Sequence, residues 1–297
     1  MNRKKCAHLN TPQKAHSQNK SDKISVYICC HKQVSMPKMK LLHPIQVGKE
    51  IAKIDLGMLS DNIGDNISKK NKNYCELTAT YWIWKNVKDN IVGLCHYRRY
   101  FNFINDFKKI HKIKPNFAEW TGNTADNLSH IFKTYDIILP EKPEANKHIE
   151  TLYDCYKQNH FISDLDTALQ IIKQKHPKEY ETANKILHTE TQGYFFNMLI
   201  AKKTVFDNYA KWLFDILFEL EKRIQSDVAT REPYQQRVYG FLAERLMTVY
   251  IALHPELKVK VVPVIFVEED TKVWRRYIVR YWKRKILQKL GLRKKHK

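Results

Sequence analysis

Two adjacent arginines, a histidine and two tyrosines close an apolar run in this chain. Ile91-Val-Gly-Leu-Cys95 is followed at once by His96-Tyr97-Arg98-Arg99-Tyr100. Guanidinium groups offer a planar fork of donors that matches phosphate and carboxylate. Ligands of open α/β sheets bind outside the carboxyl ends of the strands. The cluster therefore predicts an anion site, phosphate first, at the exit of a buried strand. A surface ion-pair cluster with little energetic weight is the competing reading.

Other residues have chemistry of their own. Arg237 and Glu244 stand seven residues apart on one helical stretch with Gly240 between them, so they share a face. A cleft-facing carboxylate beside an arginine serves as a base, and a plain salt bridge fits the spacing equally well. Glycine in mid-helix costs about 1 kcal/mol relative to alanine, which points to close approach of another group. Asp164-Leu165-Asp166 has the DxD form that binds divalent metals in many sugar-nucleotide enzymes. Here Ser163 is expected to cap a helix whose first turn favours acids, which accounts for the triplet without a metal. His31 and Lys32 end the first apolar run, where either nucleotide contact or simple solvation fits. Asn197 is the single polar residue in the apolar stretch Gly193–Ala201.

These groups need elements to hold them. Strands are expected at Lys23–Cys30, Ile91–Cys95, Tyr135–Pro140, Gly193–Ala201 and Val259–Val267, with Pro263 marking the last as an edge. Pro44–Gly48 forms an extended piece, and Asp61–Ser68 a turn-rich loop. Asn73 and Glu76 resemble a capping box ahead of a helix whose Leu77, Tyr81 and Trp84 share a face. Further helices are expected over 150–186, from Val205 through Tyr209, Trp212, Ile216, Leu220 and Ile224, and over 235–253. Residues 102–130 are expected to be loop with a short helix.

The chain has 297 residues and a net charge of +21, of which residues 271–297 supply twelve basic side chains and no acidic one. The charge excess is thus mostly a property of the tail, which argues against a basic nucleic-acid-binding domain. In that tail Trp274, Ile278, Trp282, Ile286 and Leu290 recur every fourth residue among Lys and Arg, the pattern of a helix lying on an anionic membrane surface. RNA binding and a solvated tail are its rivals. Residues 1–22 are polar and aperiodic and are expected to be disordered. The six cysteines form no CxxC pair and fit a reducing compartment. No apolar run nears the ~20 residues of a membrane span, and no signal-peptide core is seen. The expected location is cytoplasmic, peripheral on the inner membrane face, with a single domain at 23–268 and the basic tail at 269–297.

The segments DNIGDNIS, YCELTATYWIWKN and GLCHYRRYF closely resemble the signature of a bacterial family first defined as a domain of unknown function. Its members are found among capsular and exopolysaccharide biosynthesis proteins and are regarded as glycosyltransferases. The resemblance extends through FFNMLIAKK, WLFDILFELEKRI and RVYGFLAERL, so it covers roughly residues 24–267. It implies a GT-A-like, Rossmann-type mixed sheet flanked by helices, with the basic helix appended. It also implies transfer of a hexose, galactose or galactofuranose among them, from a nucleotide-sugar donor, UDP first, to a lipid-linked glycan. In metal-dependent relatives of that fold the corresponding strand ends in DxD. Here it ends in His96-Tyr97-Arg98, so no metal ligand is assigned and a divalent Mn or Mg is doubtful. The resemblance assigns His96, Arg98, Arg99 and Lys32 to the donor diphosphate, and Asp61, Asp65, Asn66 and Ser68 to its ribose or sugar. It makes Glu244 the base with Asp164 the second candidate, and places Asn197, His160, Arg237 and Arg245 on the acceptor side. Nucleic acid is not an expected partner. A non-enzymatic adaptor acting through the tail is the alternative function. A phosphate-ester hydrolase would need a metal cluster or an activated nucleophile, and the motifs supply neither.

Overall fold

Tyr27 and Cys29 face one way along the first strand, Val26, Ile28 and Cys30 the other, and all five are buried. A strand covered on both faces reads as a near-continuous apolar run, here 24–30 with Ser25 its one polar residue. The computed structural model describes residues 23–103, 111–113, 125–142, 150–267, 272, 275, 276 and 279. In chain order the elements are β1 (Ile24–Cys30), β2 (Leu42–Gln46), β3 (Leu59–Ser60), α1 (Asn71–Tyr74), α2 (Leu77–Asn86), β4 (Ile91–His96) and β5 (Arg99–Phe101). There follow β6 (His111–Ile113), α3 (Ala125–Phe132), β7 (Ile137–Pro140), α4 (Leu152–Asn159), α5 (Ile162–Lys175) and α6 (Tyr180–Thr189). The last are β8 (Leu199–Lys202), α7 (Lys203–Val228), α8 (Val238–Leu253), β9 (Val259–Val262) and β10 (Val264–Val267).

The strands form one mixed sheet. β1 pairs in parallel with β2 and β4, and β2 with β3. Past β4 the sheet forks. Ile91–Leu94 pair antiparallel with β8, which leads to β7 and β9, whereas His96 pairs with Arg99 of β5, which leads to β10 and β6. Gly93 allows the first branch to close up, since a Cβ there would lie 2.5 Å from the Leu199 carbonyl oxygen. Helices α2 and α4–α8 cover the Tyr27 face, and α3 covers the other with Leu128 and Phe132. The result is the mixed α/β class expected from the sequence.

Several local expectations are corrected. Asn73 does not cap α2. It lies inside α1 and donates to the Gln236 carbonyl, while Glu76 holds the position before Leu77 without a side-chain cap. The helical stretch 150–186 is three helices, interrupted at His160 and again at Pro177, which cannot continue a helix. α5 starts at Ile162, so Ser163 lies in its first turn and does not cap it. Only the end of Gly193–Ala201 is strand, because Phe196 and Asn197 take left-handed conformations (φ 83° and 50°). Pro263 splits the last strand into β9 and β10, on different branches of the fork. Trp274, Ile278, Trp282 and Ile286 lie outside the described residues, as does the 1–22 lead. Among the described residues no helix is long and apolar enough to cross a membrane.

Candidate functional site

A cleft of about 850 Å³ opens where the sheet forks, outside the carboxyl ends of β1 and β4. Its sheet wall carries His31, just past β1, and His96, Tyr97 and Arg99 of the β4–β5 hairpin. Its helical wall carries His160 at the end of α4 and Arg237, Phe241, Glu244 and Arg245 on or just before α8. Cys75, Glu76 and Phe196 form the floor between them.

The floor is made of two strained turns. Cys75 sits at φ 52°, ψ −131°, and Phe196 and Asn197 follow each other at positive φ. Non-glycine residues held so cost about 1–3 kcal/mol each and persist where surrounding bonds dictate them. Those bonds come from far along the chain. Asn197 Nδ2 donates to Glu76 Oε1 at 2.7 Å and to the Gly240 carbonyl at 3.0 Å. The Phe196 N–H donates to Glu244 Oε1 at 2.9 Å. His96 Nε2 lies 2.6 Å from the Phe196 carbonyl, which only accepts, so Nε2 carries the proton. A Cβ at Gly240 would sit 3.5 Å from Cys75, at ordinary contact, so the close approach expected of this mid-helix glycine is not one that only glycine allows.

Burial sets the charges. It pushes the Glu244 carboxyl above its ordinary value, against the pull of Arg245 (3.0 Å from Oε2) and of the Phe196 N–H. It pushes His96 below the ordinary imidazole range, with Glu76 opposing and Arg99 assisting, so the ring is neutral. His31 is lowered by burial and then by Lys32 and Arg237. Burial lowers His160 to about 4, against the hydrogen bond it makes to Gln235 Oε1. The cationic character of the cleft therefore rests on its arginines and Lys72 and not on its histidines. Arg237 donates from Nε to Cys75 Sγ at 3.2 Å. Arg99 stacks between Phe196 and Phe266, 4.9 and 5.3 Å from the ring centres. The Nε–H groups of Arg99 and Arg245 and the Oδ1 of Asn197 are buried with no hydrogen-bond partner.

Of the residues singled out from the sequence, His96, Arg99, His160, Arg237, Glu244 and Arg245 line this one cleft, and Asn197 lies buried beneath its floor. His31 lines it too, and the others do not. Arg98 turns its Nε to the Val267 carbonyl at 3.3 Å. Asp164 is buried in a bidentate pair with Arg231 at 2.6 and 2.8 Å, so it is a poor choice of base. Asp61 is fully buried and accepts from the N–H groups of Gly48 and Lys49 and from the Ser68 hydroxyl. Asp65 accepts from Tyr81, and Asn66 accepts from the Ser68 N–H. Lys32 lies over the Tyr97 ring at 5.4 Å. The loop acids and amides thus stitch the loop together. Glu76 and Cys75 are the functional candidates that sequence reasoning passed over. Glu76 lay inside a distinctive motif, where its capping reading hid it. Among the described residues no group of three or more His, Cys, Asp or Glu is arranged to hold a metal ion. At the β4 exit His96 and Tyr97 stand beside two arginines, with no carboxylate among them.

The family model described as "Domain of unknown function (DUF4422)" matches residues 25–255. The chain belongs to this family. No curated protein matches the chain. Among solved structures, this DUF4422 chain is similar to WbbM, a bifunctional glycosyltransferase, with 30% identity over 83% of the chain and a TM-score of 0.77. It spans 46% of that protein's length, so the likeness reaches one part of a larger molecule. The DUF4422 fold as seen here is thus one that occurs within a glycosyltransferase.

Proposed function

We propose that this DUF4422 chain is a glycosyltransferase that moves a hexose from a nucleotide-sugar donor, UDP first, to a hydroxyl of a glycan acceptor. The observation that carries the proposal is the placing of two unpartnered, buried Nε–H donors, on Arg99 and Arg245, in one cleft with Glu244. A buried donor without a partner costs about 1–3 kcal/mol, which oxygens of a bound ligand would recover. The likeness to a glycosyltransferase supports the same reading.

In a direct displacement the acceptor oxygen forms a bond to the anomeric carbon while the bond to the diphosphate oxygen breaks. The nucleoside diphosphate leaves with the electron pair, and its growing charge falls to Arg99 on the sheet wall. Fixed cations of this kind stabilise charge where it develops. Glu244 takes the acceptor proton. Its raised proton affinity suits a base, and its bonds to Phe196 and Arg245 keep it from swinging away. Glu76 binds hydroxyls of the transferred sugar, and His96 and Asn197 hold the turn between the two carboxylates. A lipid-linked glycan in cell-surface polysaccharide synthesis, reached from an anionic membrane surface through the basic tail, completes the proposal.

The test is a thermal-shift screen of the full chain against UDP, GDP, CMP and UDP-sugars in EDTA. Ligand at a hundred times its Kd adds about 2.7 kcal/mol of stability, a clear shift. The expected outcome is stabilisation by a uridine nucleotide that disappears in Arg99→Ala and persists in weaker form in Arg98→Ala. Silence towards every nucleotide would overturn the proposal and favour the adaptor.

A further inference from the structure

The helical wall of the cleft has features that a diphosphate does not need. Tyr234 is 58% exposed at its rim. The ring is nonetheless placed, 5.1 Å from Phe241 and 6.2 Å from His160, and near-parallel to the latter at 24°. His160 in turn stacks on Phe241 at 4.1 Å and 23°. Three rings thus build a shelf that ends in a solvent-facing aromatic.

The polar groups along the shelf have defined roles. Gln235 Nε2 donates to the Asn159 carbonyl at 2.9 Å, which fixes the orientation of the amide. Gln235 Oε1 then faces His160 Nδ1 at 3.1 Å, and because an amide oxygen only accepts, Nδ1 carries the proton. His160 Nε2 is left as an acceptor in a ring that burial keeps neutral. Arg237, with Nε spent on Cys75, keeps its terminal nitrogens as donors, 5.5 Å from the Phe241 ring and 6.0 Å from that of Tyr234.

We propose that this shelf is a subsite for one ring of the acceptor glycan, stacked on Tyr234 and hydrogen-bonded through a hydroxyl to His160 Nε2. It rests on the glycosyl-transfer reading above. A sugar ring pairs a face of weakly positive C–H groups with a rim of hydroxyls that both donate and accept. The negative face of an aromatic ring attracts the first, and an acceptor nitrogen beside guanidinium donors answers the second. A nucleotide base would also stack, but the nucleotide belongs at the carboxyl ends of β1 and β4, against the opposite wall. Glu244 lies on the same helix as Phe241, so a ring on the shelf is held by the element that carries the proposed base.

Saturation-transfer NMR on the full chain tests this. The probes are methyl glycosides of galactose, glucose, mannose, rhamnose and N-acetylglucosamine, with UDP recorded separately. At least one glycoside should bind through its ring protons. Its affinity should fall about fivefold or more in Tyr234→Ala and recover in Tyr234→Trp, with UDP binding equal in all three. Tyr234 is exposed, so the alanine variant should stay folded, which far-ultraviolet circular dichroism checks. Glycoside binding that is indifferent to Tyr234→Ala, or absent while UDP binds, would overturn the subsite alone. Absence of both UDP and glycoside binding would overturn the glycosyl-transfer reading and the subsite with it.

Discussion

His160 shows how one residue's surroundings choose its chemistry. Burial in the helical wall disfavours the imidazolium and Arg245 adds to this, so against the hydrogen bond to Gln235 its pKa falls to about 4 from an ordinary value near 6.5. The consequence for stability has a definite sign. Above about pH 6.5 both folded and unfolded chains leave the ring neutral. Between that point and about pH 4 the unfolded chain binds a proton that the folded chain refuses. Stability therefore falls as the pH drops through this window. His31 and His96, also lowered, act in the same direction, and Glu244, raised, acts against them. A single proton contributes at most about 1.4 kcal/mol per pH unit, and less here because the ring is only partly buried and is screened by solvent. Urea unfolding at pH 7.5, 6.0 and 5.0 should show a shallower loss in His160→Gln than in the parent chain. Parallel losses would mean that the ring titrates as an ordinary surface histidine.

At the scale of elements, local pattern and distant contact divided the work. The apolar runs at 24–30 and 91–95 and the stripe of α7 were legible because buried strands and amphipathic helices announce themselves in composition and period. The turn at Phe196 and Asn197 was not, since it sits in an apolar run and is held by Glu244, 48 residues on, and Glu76, 121 residues back. The Asp61–Ser68 loop was only half legible for a related reason: the sequence shows polar loop residues but not the bonds they make within the protein. Asp61 takes two backbone N–H groups and a hydroxyl, tying β3 to the turn at Gly48, where φ is 65°. Asp61→Ala would leave those donors buried and unpaired. It should cost about 2–4 kcal/mol, seen as a lower Tm and urea midpoint. Loss of UDP binding at an unchanged Tm would instead return Asp61 to the donor site.

At the scale of the whole molecule, the proposed chemistry and the charge lie in different parts of the sequence. The cleft is built between β1 and α8, whereas twelve of the basic residues lie in 271–297, beyond the last strand. If that stretch serves to bring the cleft to an anionic surface, the two functions should separate cleanly. A chain ending at residue 271 should keep its nucleotide-induced thermal shift, because none of the cleft's residues is removed. It should lose sedimentation with phosphatidylserine vesicles, where each basic residue near the surface contributes about 1 kcal/mol. Binding by the intact chain should weaken as salt rises and the surface potential is screened, while the aromatic and aliphatic residues spaced every fourth position leave a salt-resistant remainder. Equal vesicle binding by both chains would remove the tail from the membrane role. Loss of the nucleotide response on truncation would mean that the tail helps to build the site, and the division between cleft and tail would fail.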